Sequence, residues 1–244
     1  MKKIFVTLLL MCVTLGVWAA DVPKQGFGVQ VGWAQPILRV NSPNNPSYAK
    51  DSLTQHIKMN GFKVGVVYDG SFLKGFGSSI GINYTFAVHN GGWQAENMYN
   101  DYPKSRNLIT YHAVELFVDW QYKFEIAKET YVMLYSGPTI QCGLLFDMRK
   151  DRKLEDLYTG EITTVIGDRN SAYNTDKNDE ALKRLNITWG VGAGFQYKRY
   201  FLRGSYDFGL INPYKNIDFE NGNHTRGRLD QWSIKIGAYL WYND

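Results

Sequence analysis

The most regular feature of the chain is a two-residue alternation of apolar and small polar side chains, the period of a β-strand with two unlike faces. Within residues 110–124, His112, Val114, Leu116, Val118, Trp120, Tyr122 and Phe124 alternate with Ala113, Glu115, Phe117, Asp119, Gln121 and Lys123. Residues 185–198 repeat the design, with Leu185, Ile187, Trp189, Val191, Ala193, Phe195 and Tyr197 opposite Asn186, Thr188, Gly190, Gly192, Gly194, Gln196 and Lys198. Segments 76–88 and 232–242 follow it too. Segments 26–34, 61–69, 131–146 and 200–210 bring the predicted strands to eight. The segment 131–146 is the least regular, because Gly137-Pro138 interrupts it and predicts a bulge or kink.

The connections alternate in length: long at 35–60, short at 70–75, long at 89–109, short at 126–130, long and highly charged at 147–184, tight at Arg199, long at 211–228. That rhythm belongs to an up-and-down antiparallel meander with tight turns at one end and display loops at the other. An even strand count brings both termini to the short-turn end. The absence of a 20–50-residue repeat argues against solenoids and propellers. The predicted architecture is therefore all-β, a transmembrane up-and-down antiparallel β-barrel of about eight strands.

Alternation alone does not say which face points outward; the composition of the polar face does. A soluble barrel needs charged, solvated residues on its outer wall, whereas the polar faces here are mostly Gly, Ser, Asn, Thr and Gln with isolated charges. Such a face suits a narrow, crowded lumen. The large aromatics collect in two levels, as amphipathic rings do at the two membrane interfaces. Near the short turns these are Phe27, Tyr68, Phe76, Tyr122, Phe124, Tyr197, Tyr200 and Tyr242; at the other level are Trp33, Phe62, Phe86, Phe146, Trp189, Phe208 and Trp232. Each segment is long enough to cross the hydrocarbon, which takes about 9–11 tilted residues, and closure pairs the edges that lipid cannot hydrogen-bond. Side chains fill so small a barrel, so the inward charges must pair. Lys63, Glu115, Asp119, Arg203, Asp207 and Lys235 form the expected lumen network.

Residues 1–19 read as a secretion signal: Lys2 and Lys3, an apolar run, then Trp18-Ala19-Ala20 at the cut site. Residues 20–244 read as one barrel domain. Removal of Cys12 with the signal leaves Cys142 as the single cysteine, so no internal disulfide is expected. Removal of Lys2 and Lys3 lowers the formal charge from +4 to +2, too balanced for a nucleic-acid partner.

The Gly-rich first strand (Gly26-Phe27-Gly28-Val29-Gln30-Val31-Gly32), Ser136-Gly137-Pro138 entering a mid-chain strand, and Gly190-Val191-Gly192-Ala193-Gly194-Phe195 together resemble the PorT-like outer-membrane β-barrel family of Bacteroidetes. The resemblance spans the mature chain. It implies an outer-membrane location, insertion by the barrel-assembly machinery, and no catalytic residues. The chain departs from the usual pattern at its end, where Tyr242 is followed by Asn243 and Asp244 rather than closing the sequence.

No HExxH, Walker loop or GxSxG occurs, and the glycines of Gly75-Phe76-Gly77-Ser78-Ser79-Ile80-Gly81 are spaced wrongly for a dinucleotide fingerprint. No cofactor, metal or catalytic residue is implied; those glycines read as lumen packing. His56, His89, His112 and His224 all fall in or beside long loops, where they would have to converge with acids to make a metal or catalytic site. Within the charged run 147–156, Arg149, Lys150, Arg152 and Lys153 are candidate contacts to outer-membrane lipid and lipopolysaccharide. The expected function is a non-enzymatic barrel whose long extracellular loops bind an unidentified ligand or whose body supports the envelope. The rivals are an outer-membrane enzyme acting on lipid A or peptides, a soluble periplasmic lipocalin-like binding protein, and a small channel. If the facing is right, Val118→Arg on the lipid side costs about 2–4 kcal/mol near the midplane, and the lumen change Asn83→Ala much less. A refolding titration giving equal costs contradicts it.

Overall fold

The computed structural model describes residues 25–41, 56–73, 75–96, 103–156, 158–173, 182–214 and 226–243. The signal-like segment 1–19, with Cys12, lies outside the described residues, as does His224. Among the described residues twelve strands follow in chain order: β1 (Gln25–Asn41), β2 (Ile57–Lys58), β3 (Asn60–Leu73), β4 (Phe76–Asn90), β5 (Gln94–Ala95), β6 (Lys104–Ala127), β7 (Thr130–Glu155), β8 (Ile162–Val165), β9 (Arg169–Ser171), β10 (Leu185–Tyr197), β11 (Tyr200–Gly209) and β12 (Arg226–Asn243).

Eight of them close a ring in the order β6-β4-β3-β1-β12-β11-β10-β7, with β7 returning to β6. Every pairing is antiparallel, and the seam joins the first strand to the last, from Gln25 opposite Asn243 to Asn41 opposite Arg226. Closure leaves no unpaired edge around the wall, the condition for strands to cross hydrocarbon. At the short-turn end two-residue hairpins carry Glu129 (φ 57°) and Lys198 (φ 52°), left-handed positions that such turns demand.

The apolar face points outward. Val31, Ile82 and Ile236 are 51%, 51% and 60% exposed, while their polar neighbours Gln30, Asn83 and Lys235 are buried. A soluble binding barrel needs the opposite arrangement. The inner wall packs aromatic rings onto glycines: a Cβ on Gly81 would stand 2.6 Å from the Phe117 ring, and one on Gly237 2.2 Å from that of Phe201. Glycine is therefore required there by close approach.

Two aromatics lie opposite to their parity, each because of a β-bulge, which inserts one residue and reverses the facing beyond it. In β7 the register passes from Ala113 opposite Gly143 to His112 opposite Leu145, leaving Leu144 extra. Phe146 consequently turns into the interior, 1% exposed, and is not part of the outer aromatic level. In β12 the register passes from Phe27 opposite Trp241 to Gly28 opposite Tyr239. Tyr242 then stacks on Tyr239, ring centroids 5.2 Å apart, and Trp241 takes its place on the outer wall. Gly137-Pro138 produces no bulge, since β7 keeps one register with β10 through both residues.

The charged stretch 147–184, read from sequence as a connection, begins as strand. β7 runs on to Glu155 against Lys104–Ile109 of β6, and β8 and β9 add to its other edge. Alternation of hydrophobicity ends where the lipid ends, but backbone pairing continues.

If the bulge places Phe146 in the core, Phe146→Ala is expected to cost about 3–5 kcal/mol, and Leu144→Ala on the outer wall clearly less. Urea refolding into lipid vesicles measures both, and a costlier Leu144 variant rules the assignment out.

Candidate functional site

Three zones fill the barrel from the short-turn end to the long-loop end. The first is a polar cluster around Asp69 of β3. Arg203 of β11 donates through Nη2 to both carboxylate oxygens, at 2.9 and 2.7 Å, and through Nη1 to Ser79 Oγ at 2.8 Å. Lys123 Nζ reaches Asp69 Oδ2 at 3.1 Å and Gln196 Oε1 at 3.0 Å. The Tyr239 hydroxyl also donates to Asp69, and Gln196 Nε2 donates to the Tyr242 hydroxyl at 2.7 Å. Side chains of six strands (β3, β4, β6, β10, β11 and β12) thus gather around one buried carboxylate, with charge-assisted bonds of the stronger kind.

The second zone is centred on Glu115 of β6. Lys63 Nζ lies 2.6 Å from Oε2, while Thr85 Oγ1 and Gln231 Nε2 donate to Oε1 at 2.8 and 3.1 Å. Beside it, Lys235 lies within electrostatic reach of Asp119 and Asp207, its ammonium 5.2 Å from the Phe117 ring centroid. Among the described residues neither acid comes within 4 Å of that ammonium. Gln30 Nε2 donates to Asn83 Oδ1 at 2.7 Å. Asn83→Ala would leave that buried amide unpaired, at about 1–3 kcal/mol, which narrows the gap to Val118→Arg expected from sequence.

All six charges named from sequence are buried in the lumen. Arg203 is engaged by Asp69, an acid outside those six. Asp69 and Lys123 complete the set and were missed, although their parity places both on the polar face. Among the described residues the buried lumen charges are Lys63, Lys123, Arg203 and Lys235 against Asp69, Glu115, Asp119 and Asp207. Four cations balance four anions, so this interior carries no net charge to draw ions of either sign.

The third zone is an apolar roof at the long-loop end. Leu38, Tyr111, Phe146, Tyr173, Leu182, Tyr214 and Leu229 belong to one buried cluster. Residues 182–183 and 213–214 strap it down: Leu182 pairs with Tyr214, Leu182 N–H donates to Ala172 O at 3.1 Å, and Lys183 N–H to Pro213 O at 2.7 Å. The gap within this roof is about 10 Å³, too small and too apolar for an ordered water.

Beside the roof lies a polar cleft of about 170 Å³ lined by His56, His89, Gln94, Ser105 and Asn107. His56 Nδ1 accepts from Val40 N–H at 3.2 Å, and His89 Nδ1 lies 2.8 Å from Lys58 O, so each imidazole is oriented by the backbone. His112 is on the outer wall, bonded to the Tyr84 hydroxyl. Of the described histidines, His56 and His89 share the cleft and His112 stands apart from it, and among the described residues no group of three or more His, Cys, Asp or Glu is placed to hold a metal. The cleft offers amide, hydroxyl and imidazole groups that suit a small polar ligand.

The basic run divides between two faces. Lys150 Nζ and Arg152 Nε both lie 3.1 Å from Glu96 Oε1 on the face continuous with the interior. Arg149 and Lys153 occupy the opposite, outward face beside Asp151. Burial alone would raise the Asp151 carboxyl, but hydrogen bonds from Arg106 and Arg149 outweigh it and hold the group below the usual carboxylate range.

Removing Arg203 leaves Asp69 a poorly compensated buried charge, so Arg203→Met is expected to cost about 3–5 kcal/mol. Adding Asp69→Asn should recover part of the loss. A double variant less stable than the single one in urea unfolding from vesicles would refute the pairing.

Residues 25–214 match a family model described as outer membrane protein beta-barrel domain. No curated protein matches the chain. Among solved structures, neisserial surface protein A is similar at 12% identity, TM-score 0.41, over 88% of this chain and 97% of that one. Ail, the attachment invasion locus protein of Yersinia pestis, solved with the heparin analogue sucrose octasulfate, is similar at 11% identity, TM-score 0.37, over 89% of this chain and 99% of that one.

Proposed function

This chain belongs to the outer membrane protein β-barrel family and resides in the cell outer membrane, and from that premise we propose that it is a non-enzymatic, closed barrel with its long loops outside the cell. The observation that carries the reading is the charge-balanced lumen under an apolar roof. A conducting pore needs a continuous hydrated path, whereas here the acids at Asp69 and Glu115 are engaged by Arg203, Lys123 and Lys63. An enzyme working on lipid A or peptides needs acids and histidines within reach of one reacting atom; His56 and His89 share the cleft, while His112 stands on the outer wall.

The barrel body is then a rigid support that displays the loops, and the cleft beside His56 and His89 is the place for a small extracellular ligand. The glycine-rich β1 and the Ser136-Gly137-Pro138 entry favour a PorT-like envelope protein of Bacteroidetes, delivered by the barrel-assembly machinery. Tight turns at Glu129 and Lys198 face the periplasm in this reading, together with both termini.

Two measurements test it. In a planar bilayer the folded chain is expected to give no steady conductance; a reproducible ohmic step overturns the closed lumen. In a Cys142→Ser background, Thr163→Cys should react with a membrane-impermeant maleimide on intact cells and Lys128→Cys only after lysis. The reverse pattern inverts the barrel.

A further inference from the structure

Two carboxylates are completely covered although they lie on the outer wall, beyond the long-loop aromatics. Asp230 of β12 accepts from Arg39 Nε at 2.6 Å, the Tyr206 hydroxyl at 2.7 Å and Gly209 N–H at 3.0 Å, with Arg228 Nε at 3.1 Å. Asp151 of β7 accepts from Arg106 Nε and Nη2 at 3.0 and 2.9 Å and from Arg149 Nη2 at 3.1 Å. Parity fixes the direction. Leu229 and Gln231 are buried inside, so Arg228 and Asp230 point out; Phe146 is buried beyond the Leu144 bulge, so Arg149, Asp151 and Lys153 point out.

Both clusters hold more positive charge than their acids cancel. Arg39 and Arg228 are directly opposite one another, as are Arg149 and Arg169. Like charges at directly opposed positions destabilise a sheet unless an anion lies between them. Among the described residues, Arg39, Arg226 and Arg228 face Asp230, and Arg106, Arg149, Lys153 and Arg169 face Asp147, Asp151 and, at the far end, Glu155. Arg149 Nε is buried 2.9 Å from Asp151 Oδ1, an ion pair without hydrogen-bond alignment. The Arg106 guanidinium and the Lys153 ammonium each stand 4.7 Å from the Trp93 ring centroid, which holds both cations in place.

The height matches a lipid headgroup layer. Arg228 follows four residues beyond Trp232 on its strand, and Leu108, opposite Arg149, four beyond His112. Four residues span about 13 Å along a strand, or roughly 10 Å of height once tilted. That level is above hydrocarbon and within the polar layer. The β1–β12 and β6–β7 seams stand on opposite sides of the ring.

We propose that these two clusters are seats for the phosphate groups of phosphorylated glycolipid in the outer leaflet. Guanidinium pairs suit bidentate phosphate recognition, and the acid beneath each pair orients it from below. The lipid adds negative charge where the cations outnumber the acids and ties the barrel to its leaflet at two points. The assignment rests on the loops-outward orientation, which the whole-cell labelling reads independently.

The test is equilibrium binding of diphosphoryl lipid A and of its dephosphorylated counterpart to the folded full-length chain in zwitterionic detergent, with native mass spectrometry as readout. Diphosphoryl lipid A is expected to bind about tenfold more tightly. Lys153→Gln with Arg169→Gln and Arg226→Gln should abolish that preference. These three make no ion pair among the described residues, so their loss exposes no buried acid. Lys150→Gln with Arg152→Gln, on the inner face, should preserve it. Heat-shifted gel mobility verifies that each variant is folded. Equal affinity for the two lipids overturns the proposal, as does a preference that survives the triple change. Displacement of lipid A by inorganic phosphate at equal phosphorus concentration overturns it too, by identifying a free anion as the occupant. Labelling of the periplasmic turn on intact cells, with phosphate preference intact, would refute the orientation and leave the cation seats in place.

Discussion

Every backbone N–H and C=O in the hydrocarbon layer must find a partner within the protein, because lipid supplies none and each orphan costs several kcal/mol. The seam between β1 and β12 is the point at which the chain meets that demand, pairing residues along nearly the full length of both strands. Once the ring is closed, the two-residue period sorts side chains into lipid and lumen with no further choice. The crowded lumen, the aromatic levels and the position of the cation clusters are consequences of that sorting.

Closure at eight strands leaves an interior that side chains fill and that is too polar to be an ordinary core. The solution is a set of charge-assisted bonds centred on Asp69 and Glu115, with glycines where rings such as Phe117 and Phe201 need space. Such a lumen is stable only while both signs are present. Its net neutrality is therefore a structural requirement first, and it also withholds the field that a selective pore would need.

The outer wall shows how one residue of strand can redirect function. The Leu144 bulge turns Phe146 into the roof and, by the same reversal, turns Arg149, Asp151 and Lys153 outward. Without it the basic run would present its other face: Lys150 and Arg152, now joined to Glu96 over the interior, would meet the lipid side. Beyond the lipid boundary β6 and β7 continue as a paired hairpin, so the cations are held on ordered backbone rather than on a free loop.

Strand number, facing and the rhythm of short and long connections were legible in the chain itself, because hydrophobic alternation reports directly on a wall with lipid on one side. The six lumen charges were legible for the same reason, from parity. Their partners were not: Arg203 reaches Asp69 across the lumen from a strand on the other side of the ring, a distance that alternation does not encode. Nor were the bulges at Leu144 and Leu240, since an inserted residue changes facing without any mark in composition, and Phe146 and Tyr242 read as outer aromatics until their registers were seen. The extension of β7 to Glu155 was hidden because hydrophobic contrast disappears once both faces meet water. Local pattern determined what each strand is; only closure into a ring decided which side chains meet.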